Sequence, residues 1–133
     1  MEEKLTETQL TLMGSGELAY LGDSVYEMNI RRGLILRGTR KADCLVQEAR
    51  RYVSAARQAA IAEAITPHLT SEELGVMRRG RNHKTKSAPR HASAQDYGCA
   101  TGLECLFGYL SLKEDCERIG QLIDLIFEKG NEQ

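Results

Sequence analysis

The chain has no tryptophan, two phenylalanines and five tyrosines, so its core must be built mainly from aliphatic side chains and alanine. It has no apolar run near the ~18–20 residues of a membrane-spanning helix, which excludes a transmembrane protein of that type. Its polar start, Met1-Glu2-Glu3-Lys4, is followed by no apolar stretch of the kind a secretory signal needs, so the reading is a cytoplasmic protein. The four cysteines, Cys44, Cys99, Cys105 and Cys116, form no Cys-x-x-Cys pair and have no histidine at ligand spacing. They read as small hydrophobes in a reducing compartment rather than as disulfide or zinc partners. Alternating strand patterns, internal repeats and low-complexity segments are also missing.

Strong net charge is absent too. The formal charge is −1, which excludes a globally basic nucleic-acid binder. The charges are nevertheless unevenly placed. No Asp or Glu occurs between Glu73 and Asp96, whereas Arg78, Arg79, Arg81, Lys84, Lys86 and Arg90 all do. One cationic patch on a near-neutral chain is a focused electrostatic footprint for a polyanion.

What is present is helical periodicity. With 133 residues and 41% apolar content, the chain suits a single all-α domain spanning 1–133. A first helix is expected over 15–36, with Leu18, Leu21, Val25 and Met28 as a stripe and further apolar residues on the other sides. A second is expected over Ala42 to Ile65, ended by Pro67. Thr70 to Glu73 reads as a capping box that starts a short helix ending near Gly80, with Leu74 and Met77 inward. Residues 80–96 read as a loop, followed by a helix from Tyr97 to Leu112 carrying Ala100, Leu103, Phe107 and Leu110. Gly102 and Gly108 inside it suggest close approach of another backbone. A last helix is expected from Glu114 to Glu128, with Ile119, Leu122, Ile123 and Ile126 as its stripe.

Two acids stand out against this pattern. Asp23 is the only charged residue from Leu18 to Tyr26, and Glu104 the only one from Tyr97 to Leu112. On a helix apolar nearly all round, Asp23 reads as an anomaly rather than a solvent-facing acid, because burying a lone carboxylate is costly unless it is paired or binds metal. Brought together, Asp23 and Glu104 would suit Mg²⁺, which takes one or two carboxylates plus water and phosphate oxygens. The alternative is that each acid pairs with an arginine such as Arg31, Arg51 or Arg57, and spacing alone does not choose. In the acid-free segment from Arg78 onward, Arg78, Arg79, Arg81, Lys84, Lys86 and Arg90 suit phosphates, with Asn82 and Ser87 as neutral donors. No aromatics interleave with these cations, which favours a duplex read by its backbone over a stacked single strand.

Leu21-Gly22-Asp23-Ser24-Val25 resembles the signature helix of the ribonuclease III family. Glu104-Cys105-Leu106-Phe107-Gly108-Tyr109-Leu110 is similar to that family's second metal-binding segment. The short chain and the Arg78–Asn82 stretch resemble its Mini-III branch, which lacks a double-stranded-RNA-binding domain. The resemblance implies a ribonuclease III-like helical fold, Asp23 and Glu104 as metal-ligand acids, a Mg²⁺ cofactor and a homodimer that cuts both strands of double-stranded RNA. It also implies maturation of the stem ends of precursor 23S ribosomal RNA. Two acids of the larger family members are missing, with Ala19 four residues before Asp23 and Thr101 three before Glu104. The rival is a non-catalytic helical RNA-binding or ribosome-associated module. A DNA-binding protein is disfavoured because no recognition helix is apparent.

Overall fold

A computed structural model describes residues 4–38, 41–83 and 93–130. They form seven α-helices and, among the described residues, no strand: α1 (Glu7–Thr11), α2 (Ser15–Leu36), α3 (Ala42–Val53), α4 (Ala55–Ile65), α5 (Ser71–Arg81), α6 (Ala94–Leu112) and α7 (Cys116–Gly130). A short 3₁₀ turn, Thr66–His68, carries Pro67 between α4 and α5. No described helix is long and apolar enough to cross a membrane.

The organising element is α6. Ten of its residues, from Ala100 to Leu103 and from Cys105 to Leu110, are buried, and it packs against α2, α4, α5 and α7. Leu103, Leu106 and Phe107 are completely enclosed. Helix α7 lays its expected stripe of Ile119, Leu122, Ile123 and Ile126 into the same core. An ion pair ties α7 to α5: Arg118 donates to both carboxylate oxygens of Glu73 at 2.8 Å, and also to the His68 carbonyl.

Several sequence expectations shift in register. Helix α2 has the expected bounds, but its buried face is Leu18, Gly22, Tyr26, Ile30 and Leu34 rather than the Leu18–Met28 stripe. Two contacts decide this. Gly22 admits α6, and Tyr26 fits the core edge-on to Phe107 while its hydroxyl donates to the Tyr52 carbonyl at 2.7 Å. The predicted helix from 42 to 65 is broken at Ser54, which is extended, ends α3, and caps α4 by accepting from the Arg57 amide. Helix α5 starts from the expected Thr70–Glu73 capping box, buries Val76 with Leu74 and Met77 half-buried, and continues to Arg81. Helix α6 begins at Ala94, capped by Ser93, so residues 80, 81 and 94–96 of the expected loop are helical. Helix α7 starts two residues late because Glu114 adopts a left-handed conformation. Helix α1 was not expected; its signal is the Thr6-x-x-Gln9 capping box. All four cysteines are free, but only Cys105 is buried; Cys44 and Cys116 are exposed, so the small-hydrophobe reading does not hold for them.

Candidate active site

The site begins with two glycines. A Cβ on Gly22 would overlap the Glu104 carbonyl oxygen, and one on Gly108 would overlap the Leu18 carbonyl. Each helix therefore offers its glycine to the other's backbone, and α2 and α6 cross closer than side chains would allow. The close approach expected for Gly108 is thus realised, and its counterpart is the glycine immediately before Asp23.

That crossing brings Asp23 and Glu104 within hydrogen-bonding reach of each other. Glu104 is half-buried, and its carboxyl is pushed up to about 8, first by loss of water, then by the charge of Asp23 and the hydrogen bond to it. Asp23 itself is exposed, which corrects the expectation that an acid on so apolar a helix would be enclosed. The reason is that this side of α2 is uncovered: Tyr20, one turn before Asp23, is 85% exposed, and Ser24 is exposed as well.

The arginine-pair alternative does not describe Glu104, because a guanidinium beside it would hold its proton affinity down rather than up. Arg31 pairs instead with Glu27 at 3.0 Å, one turn along α2, and Arg51 with Glu48 at 3.3 Å. Arg57 donates through Nε to the Arg51 carbonyl. At the two positions where larger ribonuclease III enzymes carry acids, Ala19 is half-buried and Thr101 is buried, with its hydroxyl donating to the Tyr97 carbonyl at 2.9 Å. Among the described residues no three His, Cys, Asp or Glu side chains gather at one point, so the acidic pair stands by itself. The donor chemistry still suits a hard divalent cation. Two oxygen-donor carboxylates lie within reach of each other, one of them partly withdrawn from water, and a cation between them would relieve their repulsion.

A third polar group reaches Glu104 and was missed from the sequence: Gln58 of α4, which is 4% exposed. Its signal was present. Gln58 occupies the same helical face as Ile61, Ala62 and Ile65, where the pattern calls for an apolar side chain. Tyr26 lies close enough for the Glu104 charge to add to the upward shift of its phenol, which burial dominates.

The cations are divided. Arg78, Arg79, Arg81 and Asn82 are exposed, but the three arginines belong to the last turn of α5 and Asn82 is its C-cap, not part of a loop. Arg78 and Arg81 line a cleft of about 590 Å³ between α4, α5 and the start of α6, together with Glu63 and Asp96. Arg79 points elsewhere, close enough to Tyr109 and Cys105 for its charge to be felt there. Lys84, Lys86 and Arg90 lie outside the described residues.

Comparison with known proteins agrees with the sequence motifs. Residues 16–115 match the family model described as the ribonuclease III domain. A Mini-ribonuclease 3 of Symbiobacterium thermophilum is 44% identical over 106 residues, covering 80% of this chain and 82% of its own. A Mini-ribonuclease 3 of Streptococcus pneumoniae is 38% identical over 122 residues, covering 90% and 95%. Among solved structures, a crystal structure of a Fusobacterium nucleatum protein superposes with a TM-score of 0.76 at 29% identity, covering 89% of this chain and 94% of that one.

Proposed function

Because this chain belongs to the ribonuclease III family, in its Mini-ribonuclease 3 branch, we propose that it is a Mg²⁺-dependent endoribonuclease of double-stranded RNA whose active-site acids are Asp23 and Glu104. The observation that carries the reading is the meeting of those two carboxylates at the α2–α6 crossing, with Glu104 desolvated and pushed up to about 8. A protein with only a structural use for Glu104 would gain by replacing it, since a desolvated acid beside a second acid opposes folding in its charged form.

When bound between these acids, Mg²⁺ supplies charge neutralisation at the phosphoryl oxygens and a more acidic water. The chain's own residues do the rest. Asp23, exposed, reaches toward the substrate side, while Glu104 anchors from the half-buried side. The glycine crossing fixes the spacing between them through backbone contacts. Arg78, Arg79, Arg81 and Asn82, with Lys84, Lys86 and Arg90, are assigned to the phosphates of the duplex. The natural substrate is proposed to be the stem flanking precursor 23S ribosomal RNA, in the cytoplasm, and residues 1–133 to act as one catalytic unit.

A homodimer is part of the same proposal. Tyr20, Met28 and Ile35 fall within ~80° of one another around α2, and all three are exposed. Ser24 and Arg31 share that face, so it is mixed, and its apolar side chains are better covered than left in water. Its Tyr20 end lies one turn from Asp23, so a second copy seated there would put two acidic sites on one duplex.

The deciding experiment is incubation of labelled duplex RNA with wild type and Asp23→Asn, with Mg²⁺ or with chelator. Wild type is expected to cut only with metal, and the variant at least about 100-fold more slowly, a loss of about 2.7 kcal/mol in the barrier. Undiminished cleavage by Asp23→Asn overturns the assignment. RNA binding without cleavage by the wild type in Mg²⁺ makes the protein a binding module instead.

A further inference from the structure

Three buried residues of the described structure are polar or charged: Glu73, Thr101 and Gln58. Glu73 is held by Arg118 and Thr101 by the Tyr97 carbonyl, both as parts of the scaffold. Gln58 differs, because its partner is the acid at the centre of the site, Glu104. A buried amide costs free energy that packing alone does not require, on a helix face whose other members, Ile61, Ala62 and Ile65, are apolar. The break at Ser54 matters here. By ending α3 and capping α4, Ser54 sets Gln58 in the first turn of a new helix, with its amide on α6 instead of continuing the direction of α3.

We propose that Gln58 is a positioning residue of this site: its buried amide donates to one oxygen of Glu104 and holds that carboxylate turned toward Asp23 for a shared divalent cation. The inference rests on the reading of Asp23 and Glu104 as metal-holding acids. A carboxylate has two oxygens and about four acceptor positions, so one bond from Gln58 fixes its rotation and leaves the opposite oxygen open. With no acid at position 19 or 101, rotation of Glu104 would not be corrected by a further carboxylate, and a neutral donor fixes it without adding charge. Groups that hold a ligating carboxylate by its other lone pairs commonly set metal affinity by 10–100-fold.

The test uses the full chain without RNA and titrates Mn²⁺ by electron paramagnetic resonance, comparing wild type, Asp23→Asn and Gln58→Met, whose side chain fills nearly the same volume. Gln58→Met is expected to bind Mn²⁺ about tenfold more weakly. The Mg²⁺ concentration for half-maximal cleavage should rise by a similar factor while the KM for duplex RNA stays fixed, since Gln58 is too buried to touch RNA. Gln58→Asn, which keeps the amide but withdraws it by one methylene, is the second variant should Gln58→Met fold poorly, and the same direction is expected of it. A folded Gln58 variant with wild-type Mn²⁺ affinity, alongside an impaired Asp23→Asn, overturns the role of Gln58 and leaves the acidic site standing. Wild-type Mn²⁺ affinity in Asp23→Asn overturns the metal reading itself, and this inference with it.

Discussion

The behaviour of Glu104 can be checked without any substrate. Its carboxyl is pushed up to about 8 by burial, by the Asp23 charge and by the bond to Asp23, against the 4.5 of a free side chain. Between those two values the folded protein keeps a proton that the unfolded chain has released, so stability falls as pH rises through that window. In chelator, the melting temperature is therefore expected to drop from pH 5 to pH 8. Glu104→Gln should remove most of that slope and stabilise the metal-free protein at pH 8 by on the order of 1–2 kcal/mol, a figure discounted for the water Glu104 still meets. An unchanged slope, read by calorimetry, means that the carboxyl titrates elsewhere. The two acids were legible in the sequence because each was a single charge in a long apolar stretch. Their setting was not. Periodicity made Asp23 enclosed, whereas α2 in fact leaves Tyr20 in water one turn from it. Gln58 passed unnoticed because a neutral amide on an alanine-rich helix carries no charge to draw the eye, although its place on the buried face was visible in the spacing.

At the scale of elements, the caps were the dependable signals and the loop composition was not. Thr70 with Glu73 started α5 where expected, and the overlooked Thr6-x-x-Gln9 and Ser54 are further examples of the same chemistry. The polar stretch 80–96, by contrast, was helical at both ends: Arg81 completes the last turn of α5, where cations meet the negative end of the helix dipole, and Ser93 caps α6 from Ala94. Being helical has a consequence for RNA binding. Arg78 and Arg81 share one face toward the α4–α6 cleft, while Arg79 does not line it and its guanidinium lies back over Gly75. A rigid helix cannot turn both faces to one phosphate strand. Neutralising all three should weaken duplex binding and lower the salt slope, each lost phosphate contact flattening it by ~0.9 on a logarithmic plot for DNA-like duplexes. Neutralising Arg78, Arg79 and Arg81 one at a time should therefore give unequal losses, with Arg79 set apart from the other two. Equal losses for the three single variants in filter binding across a salt series would show that α5 does not hold its helical form on RNA.

For the whole molecule, the exposed stripe on α2 sets the expectation. Ile35→Glu and Met28→Glu place a charge on that face without touching the core, since both residues are exposed. They are expected to turn a dimer into a monomer in light scattering while leaving the far-ultraviolet circular dichroism unchanged; a monomeric wild type at micromolar concentration sinks the dimer. The overall helical class was readable because periodicity is a property of many residues at once, whereas the covering of one face depends on a partner surface that no local spacing encodes. The glycine-to-glycine crossing of α2 and α6 leads to a different expectation, about amide hydrogen exchange. Gly102 to Leu110, apart from Glu104, is buried without interruption, and backbone presses on backbone at Gly22 and Gly108. Amides there should exchange with deuterium only through global unfolding, so the acidic pair belongs to the part of the molecule that opens last. Heating should then inactivate and unfold the protein in a single event.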